Sequence, residues 1–166
     1  VANERIAREA GFSSCFFQPA CHDAGSSAGA ALYAAYMLAG APRRFDQSWT
    51  KTDYLGPSYD ADNLRAALDF AGMPYREVSN PAADAAERLA RGRIVGRFDG
   101  RGEFGPRALG NRSILAPPGP EAVKDRLNAK VKRREPFRPF APSVLEASCG
   151  RYFDSADPSP FMLRAY

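Results

Sequence analysis

Apolar positions recur at helical spacing along much of the chain. Ile6 and Ala10 share one face of residues 1–10, a stretch that Gly11 brings to a stop. Leu64, Ala67, Leu68 and Ala71 follow the i, i+3, i+4, i+7 rule between an Asp60 start and a Gly72 stop, and predict an amphipathic helix. Asn80-Pro81 opens another helix, with Asn as cap and Pro in its first position; Ala85, Leu89 and Ala90 line its inward side as far as Gly92. Val123, Leu127 and Val131 do the same over 121–131, and the small-residue run 28–39 and a last turn at 146–153 add further helix. Shorter apolar runs bounded by turn residues predict strands over 12–17, 73–78, 94–98, 111–116 and 138–145. Helix and strand alternate, so an α/β fold is expected, with a mixed sheet built around 94–98, 111–116 and 140–145.

Composition changes this picture little. In 166 residues, 45% are hydrophobic and 25% charged, as in ordinary globular chains. No run of apolar residues is long enough to span a membrane, so no membrane partner is expected. The start Val1-Ala2-Asn3-Glu4 has neither an initiator Met nor the order of a signal peptide, which reads as a piece of a larger protein cut at both ends. Cys15, Cys21 and Cys149 form no CxxC pair, which points to a reducing compartment, with the cytoplasm as expected location.

Charge changes it more. The net charge is +4, yet residues 91–140 hold thirteen Lys and Arg against five Asp and Glu, so the positive charge is concentrated there. Two segments account for it: the glycine-arginine loop 100–113 and the run Lys132-Arg133-Arg134-Glu135-Pro136-Phe137-Arg138. Glycine lets backbone approach a ligand, and Arg forks grip phosphate or carboxylate oxygens in pairs. The bland alternative is a loop merely solvated by its arginines. Because the charge sits beside glycine-rich loop sequence rather than along a helix face, a small phosphorylated ligand fits better than nucleic acid, which is not the expected partner. Upstream, Gln18-Pro19-Ala20-Cys21-His22-Asp23-Ala24-Gly25 reads as a strand-to-helix turn. There Asp23 is either a plain helix cap or a carboxylate for a metal or phosphate site. A zinc cluster of Cys15, Cys21, His22 and Asp23 lacks the paired-ligand spacing of structural zinc sites.

Phe104-Gly105-Pro106-Arg107-Ala108-Leu109-Gly110-Asn111-Arg112-Ser113-Ile114-Leu115 and Arg138-Pro139-Phe140-Ala141-Pro142-Ser143-Val144-Leu145 resemble the signature of the carbamoyltransferases that act on nodulation factors, cephamycins and tobramycin. By that resemblance residues 1–40 are the C-terminal remnant of an actin/hexokinase-like catalytic domain, 41–57 a linker, and 58–166 a mixed-sheet YrdC-like C-terminal domain, truncated. Lys132-Arg133-Arg134 and Pro139 are similar to the Lys-x-Arg layout of the threonylcarbamoyl-adenylate synthases.

The resemblance implies an ATP-dependent O-carbamoyltransferase that makes carbamoyl adenylate from carbamoyl phosphate and ATP, then carbamoylates a hydroxyl of a small-molecule acceptor. Lys132, Arg134 and Arg107 are the implied catalytic residues, with Asn111, Arg112, Ser113, Arg138, Gly105 and Gly110 binding substrate and nucleotide. Asp23 is the implied ligand of a divalent metal, Mg or Fe, while His22 is either a bystander or an extra ligand. A homodimer is allowed for. The competing readings are a non-catalytic YrdC-like module that binds nucleotide or RNA and a structural domain whose arginines tie loops together.

Overall fold

The computed structural model describes residues 1–43, 53–119, 121–155 and 158–166. They divide into two compact units, one of Val1–Pro57, Arg101–Leu109 and Leu145–Tyr166, the other of Ser58–Gly100 and Gly110–Val144. The loop marked out by its glycines and arginines is therefore shared between units: 101–109 belongs to the first and 110–113 to the second. Of the stretch 41–57, residues 44–52 lie outside the described residues.

In the first unit, α1 (Ala2–Glu9) is tied to the far end of the chain. Glu4 is buried, and it accepts from Arg8 Nε at 2.5 Å and from Arg164 Nε at 2.6 Å, while Asn3 Nδ2 donates to the Leu163 carbonyl at 2.9 Å. The Arg164 hydrogen bond, reinforced by Arg8, holds the Glu4 carboxyl below its ordinary value. The second helix, α2 (Asp23–Tyr33), starts five residues before the predicted 28 and runs on through a π-helical turn, Ala34–Leu38. Gly25 is what lets it start so early: a Cβ there would lie 1.8 Å from the Ala20 carbonyl oxygen, so only glycine allows the 18–22 turn to fold back against the helix.

In the second unit, Asp60 and Asn63 form a capping box that opens α3 (Ala61–Phe70), and the Asn80 side chain accepts from Ala83 N–H to open α4 (Pro81–Ala90). Both starts match the cap signals in the sequence. Strands β1 (Val95–Phe98) and β2 (Arg112–Leu115) pair antiparallel, Val95 with Leu115 and Phe98 with Arg112. Then α5 (Glu121–Arg126) passes into a π-helical turn, Leu127–Lys132, which ends at Arg133 in the left-handed conformation, φ 48° and ψ 54°. Back in the first unit, a 3-10 turn, Glu146–Ser148, leads into α6 (Cys149–Tyr152).

The mixture of helix and strand agrees with an α/β chain, but the mixed sheet does not form: among the described residues the sheet has two strands, both antiparallel. Residues 138–145 are not a strand. Pro139 and Pro142 have no N–H to give, and the carbonyls of Pro136, Arg138 and Pro139 are already taken by the side chains of Asn128 and Arg134. Residues 12–17 form no strand either, and Phe12 and Phe16 stay 64% and 80% exposed, so no burial drives pairing. At 73–78, Pro74 interrupts the run, and Arg76 and Glu77 pair with Asp84 and Arg65 instead.

Burial is sparse. Among the described residues the buried apolar side chains are Ala20 and Leu127, joined by three polar ones, Glu4, Asp53 and Asn128. Each of the three polar residues organises something: the chain ends, the 101–109 loop and the basic segment respectively.

Candidate functional site

The 101–109 loop is seated on residues 53–57 by main-chain pairing. Phe104 N–H donates to the Asp53 carbonyl at 2.6 Å, Gly102 N–H to Pro57 at 2.9 Å, and Gly56 N–H back to Gly102 at 2.8 Å. Arg101 is used up here, donating to the Gly56 and Leu55 carbonyls, and the loop closes on itself through Leu109 N–H to Glu103 Oε1 at 2.8 Å. The Tyr54 hydroxyl caps it by donating to the Leu109 carbonyl. Arg107, by contrast, is exposed and forms no hydrogen bond or ion pair among the described residues.

Gly105 sits at φ +128°, and a Cβ there would lie 3.3 Å from His22 Nε2 and 3.8 Å from Asp53 Oδ2. The loop therefore covers a histidine and a carboxylate. His22, rather than Asp23, caps α2: its Nδ1 accepts from Ala24 N–H at 3.2 Å, which corrects the reading of Asp23 as the cap. With Nδ1 accepting, the neutral ring carries its proton on Nε2, and that nitrogen is buried without a hydrogen-bond partner. Burial pushes the Asp53 carboxyl above its ordinary value, an effect partly opposed by the neighbouring His22. Asp23 opens α2 as expected, is exposed, and has no partner among the described residues. An oxygen donor of that kind suits a hard cation, but the described residues contain no group of three or more His, Cys, Asp or Glu able to hold a metal.

In the second unit, Arg112 is a buttress. Its Nη1 donates to the carbonyls of Asp99 and Asn111 and its Nη2 to that of Gly100, while the guanidinium lies 3.7 Å from the centre of the Phe98 ring. Ser113 Oγ accepts from Gly110 N–H at 2.9 Å, and Gly110 has φ +120°. Asn111 closes the end of the hairpin, its carbonyl accepting from Asp99 N–H at 3.0 Å. Asn111, Arg112, Ser113 and Gly110 thus form one bonded cluster at the mouth of the hairpin.

Lys132 ends the π-helical turn, and Arg134 and Arg138 lie on the segment that follows it. Arg134 gives Nε to Asn128 Oδ1 at 2.7 Å and Nη2 to the Pro139 carbonyl, and it stacks 4.6 Å from the Phe140 ring centre. Arg138 has a long, exposed ion pair with Glu135 at 3.7 Å. Lys132 is exposed and has no hydrogen bond or ion pair among the described residues.

Sequence reasoning passed over Asn128 and Asp53 and left His22 without a role. Histidine is not among the favoured cap residues, and Asn128 lies on a helix face whose partners are main-chain carbonyls. The one available signal was a lone histidine placed directly before a helix start.

Exposed cations beside glycine turns are an arrangement that suits an anion, and comparison with known proteins shows what the chain is similar to. Residues 86–166 match the carbamoyltransferase C-terminus family. The chain is 44% identical to the nodulation protein NolNO of Sinorhizobium fredii, over 96% of this chain and 24% of that protein. It is 37% identical to a 3'-hydroxymethylcephem-O-carbamoyltransferase of Amycolatopsis lactamdurans, over 92% of this chain and 27% of that one, and 36% identical to the enzyme of the same name from Streptomyces clavuligerus. Residues 86–166 carry the carbamoyltransferase C-terminus, and the chain spans about a quarter of the length of these curated relatives.

Proposed function

We propose that the whole protein is an ATP-dependent O-carbamoyltransferase and that this chain carries much of its carbamoyl-phosphate and adenylate site. The observation that carries the reading is the identity, over most of the chain, with proteins named as cephem O-carbamoyltransferases. In this reading residues 58–166 adopt a YrdC-like arrangement in the whole protein, 41–57 link it, and 1–40 end an actin-like catalytic domain.

The chemistry asks for charge stabilisation more than for a nucleophile. Water attacks the phosphorus of carbamoyl phosphate and its P–O bond breaks, leaving phosphate and carbamate; the carbamate oxygen attacks the α-phosphorus of ATP with pyrophosphate leaving, and an acceptor hydroxyl then takes the carbamoyl carbon. AMP leaves in that last step, and the hydroxyl proton passes to base or solvent. Fixed cations and backbone N–H groups serve every one of these steps. Lys132 and Arg107, exposed and without partners among the described residues, are the side chains best suited to meet phosphate oxygens. Gly105, Gly110, Asn111, Arg112 and Ser113 shape the loop; Arg134 and Arg138 complete the charge. Asp23 would give one oxygen ligand to a divalent metal, Mg or Fe, with the other ligands supplied from elsewhere in the whole protein.

No helix among the described residues is long and apolar enough to cross a membrane. The cytoplasm, where ATP and carbamoyl phosphate are made, is the compartment we assign. The test is acceptor carbamoylation by the whole protein, followed by mass spectrometry with a hydroxymethyl cephem or a nodulation-type oligosaccharide. Product that requires both ATP and carbamoyl phosphate is expected. Absence of product with any hydroxyl acceptor, together with a steeply salt-dependent affinity for RNA, would instead favour a binding module.

A further inference from the structure

We propose that Asn128 is a positioning residue that holds Arg134 and the segment 132–138 ready for the phosphate oxygens of the ligand, an inference that rests on the carbamoyl-phosphate and ATP reading above. Asn128 is the most completely buried side chain described, 1% exposed, and its amide is bonded on both sides. Oδ1 accepts from Arg134 Nε at 2.7 Å, and Nδ2 donates to the carbonyls of Pro136 at 3.2 Å and Arg138 at 3.0 Å. Its own carbonyl accepts the N–H of Arg133 and that of Arg134, the latter at 3.0 Å. One residue therefore ties down the segment, its main-chain carbonyl at 133 and 134 and its side-chain amide at the Arg134 side chain and at 136 and 138. The left-handed Arg133, a conformation that costs a non-glycine residue free energy, is the bend that makes this wrapping geometrically achievable.

The consequence falls on Arg134. Its guanidinium is held through Nε and Nη2 and lies against the Phe140 ring, yet it has no carboxylate partner among the described residues. Nη1 has no hydrogen-bond partner there either. A half-buried cation with one edge free and its orientation already fixed is a preorganised donor, and binding an anion on that edge costs little further ordering. An arginine needed only to tie the loop would gain more from a neighbouring Asp or Glu. Lys132, two residues earlier, is exposed at the end of the same turn and supplies a second positive charge on the segment.

The experiment uses Asn128→Asp and Asn128→Leu in the whole protein, with two readouts. Asp keeps the acceptor for Arg134 but sets a carboxylate against two carbonyls; Leu fills the space and removes all three side-chain bonds. Trypsin cleavage after Lys132, Arg133 and Arg134 should become about tenfold faster in both variants, because the segment loses its anchor. The KM for carbamoyl phosphate or ATP should rise about tenfold with a smaller change in kcat, and Arg134→Lys should do the same, since a lysine cannot reproduce the fork. Cleavage rates equal to wild type would overturn the positioning role. Faster cleavage with unchanged KM for both substrates would overturn its link to the ligand. Wild-type protein without any ATP- and carbamoyl-phosphate-dependent turnover would contradict the proposed function itself, and the cleavage rates would then judge Asn128 alone.

Discussion

Asp53 shows how a single residue acts at several levels here. Its carbonyl anchors Phe104, its carboxylate lies under Gly105 beside His22, and burial raises its pKa above the ordinary carboxylate value. A raised acid pKa means that the folded protein holds the proton more tightly than the unfolded one. Stability from this group is therefore full below the ordinary carboxylate range and falls as pH rises through the raised value. Asp53→Asn keeps the size and removes the ionisation. In urea unfolding followed from pH 4 to 7, the variant is expected to lose less stability with rising pH than wild type; parallel curves would show that Asp53 is not the group responsible. Glu4, held low by Arg164 and Arg8, works in the opposite direction and loses its contribution as pH falls, so it does not mimic this signature. Residue-level chemistry was the least legible part of the sequence. Asp23 could be placed at a helix start from its neighbours, but the cap proved to be His22, and the burial of Asp53 and Asn128 depends on carbonyls that no side-chain pattern reveals.

At the scale of elements, legibility followed local physics. The Asp60 and Asn80 caps fixed the starts of α3 and α4, because a cap and its helix lie within a few residues of each other. The β1–β2 hairpin was legible as two apolar runs flanking the glycine-arginine loop. The run 138–145 misled because a strand needs free main-chain groups, and Asn128 and Arg134 had taken them. The loop 101–109 is an element in its own right, and Gly105 is its tightest point. Gly105→Ala would put a Cβ 3.3 Å from His22 Nε2 on a backbone at φ +128°, which should cost about 1–3 kcal/mol. His22 is the one histidine of the chain, so its ring nitrogen signals are unambiguous in NMR. The wild-type ring is expected as the Nε2–H tautomer, with its Nε2 shift moved in the alanine variant. An alanine variant as stable as wild type, with unmoved ring shifts, would mean that the loop does not press on His22.

For the molecule as a whole, the carbamoyltransferase likeness was legible because two long words of sequence carry it, and the match over 86–166 covers both. The packing was less so. Of the inward positions expected on 121–131, Leu127 is buried while Val131 is 42% exposed, and Phe70 and Phe137 are 96% and 79% exposed. Amphipathic spacing marks a face that could be covered, not one that this chain covers by itself. The central claim is that the basic segments stabilise charge during carbamoyl adenylation, and Lys132 is the side chain where that claim is sharpest. The most direct measurement is carbamoyl-phosphate-dependent AMP and pyrophosphate formation from ATP by the whole protein, wild type against Lys132→Ala. The rate is predicted to fall by about 10²–10³ when that donor is removed. AMP formation that proceeds at the wild-type rate in Lys132→Ala, or that never depends on carbamoyl phosphate, would contradict it.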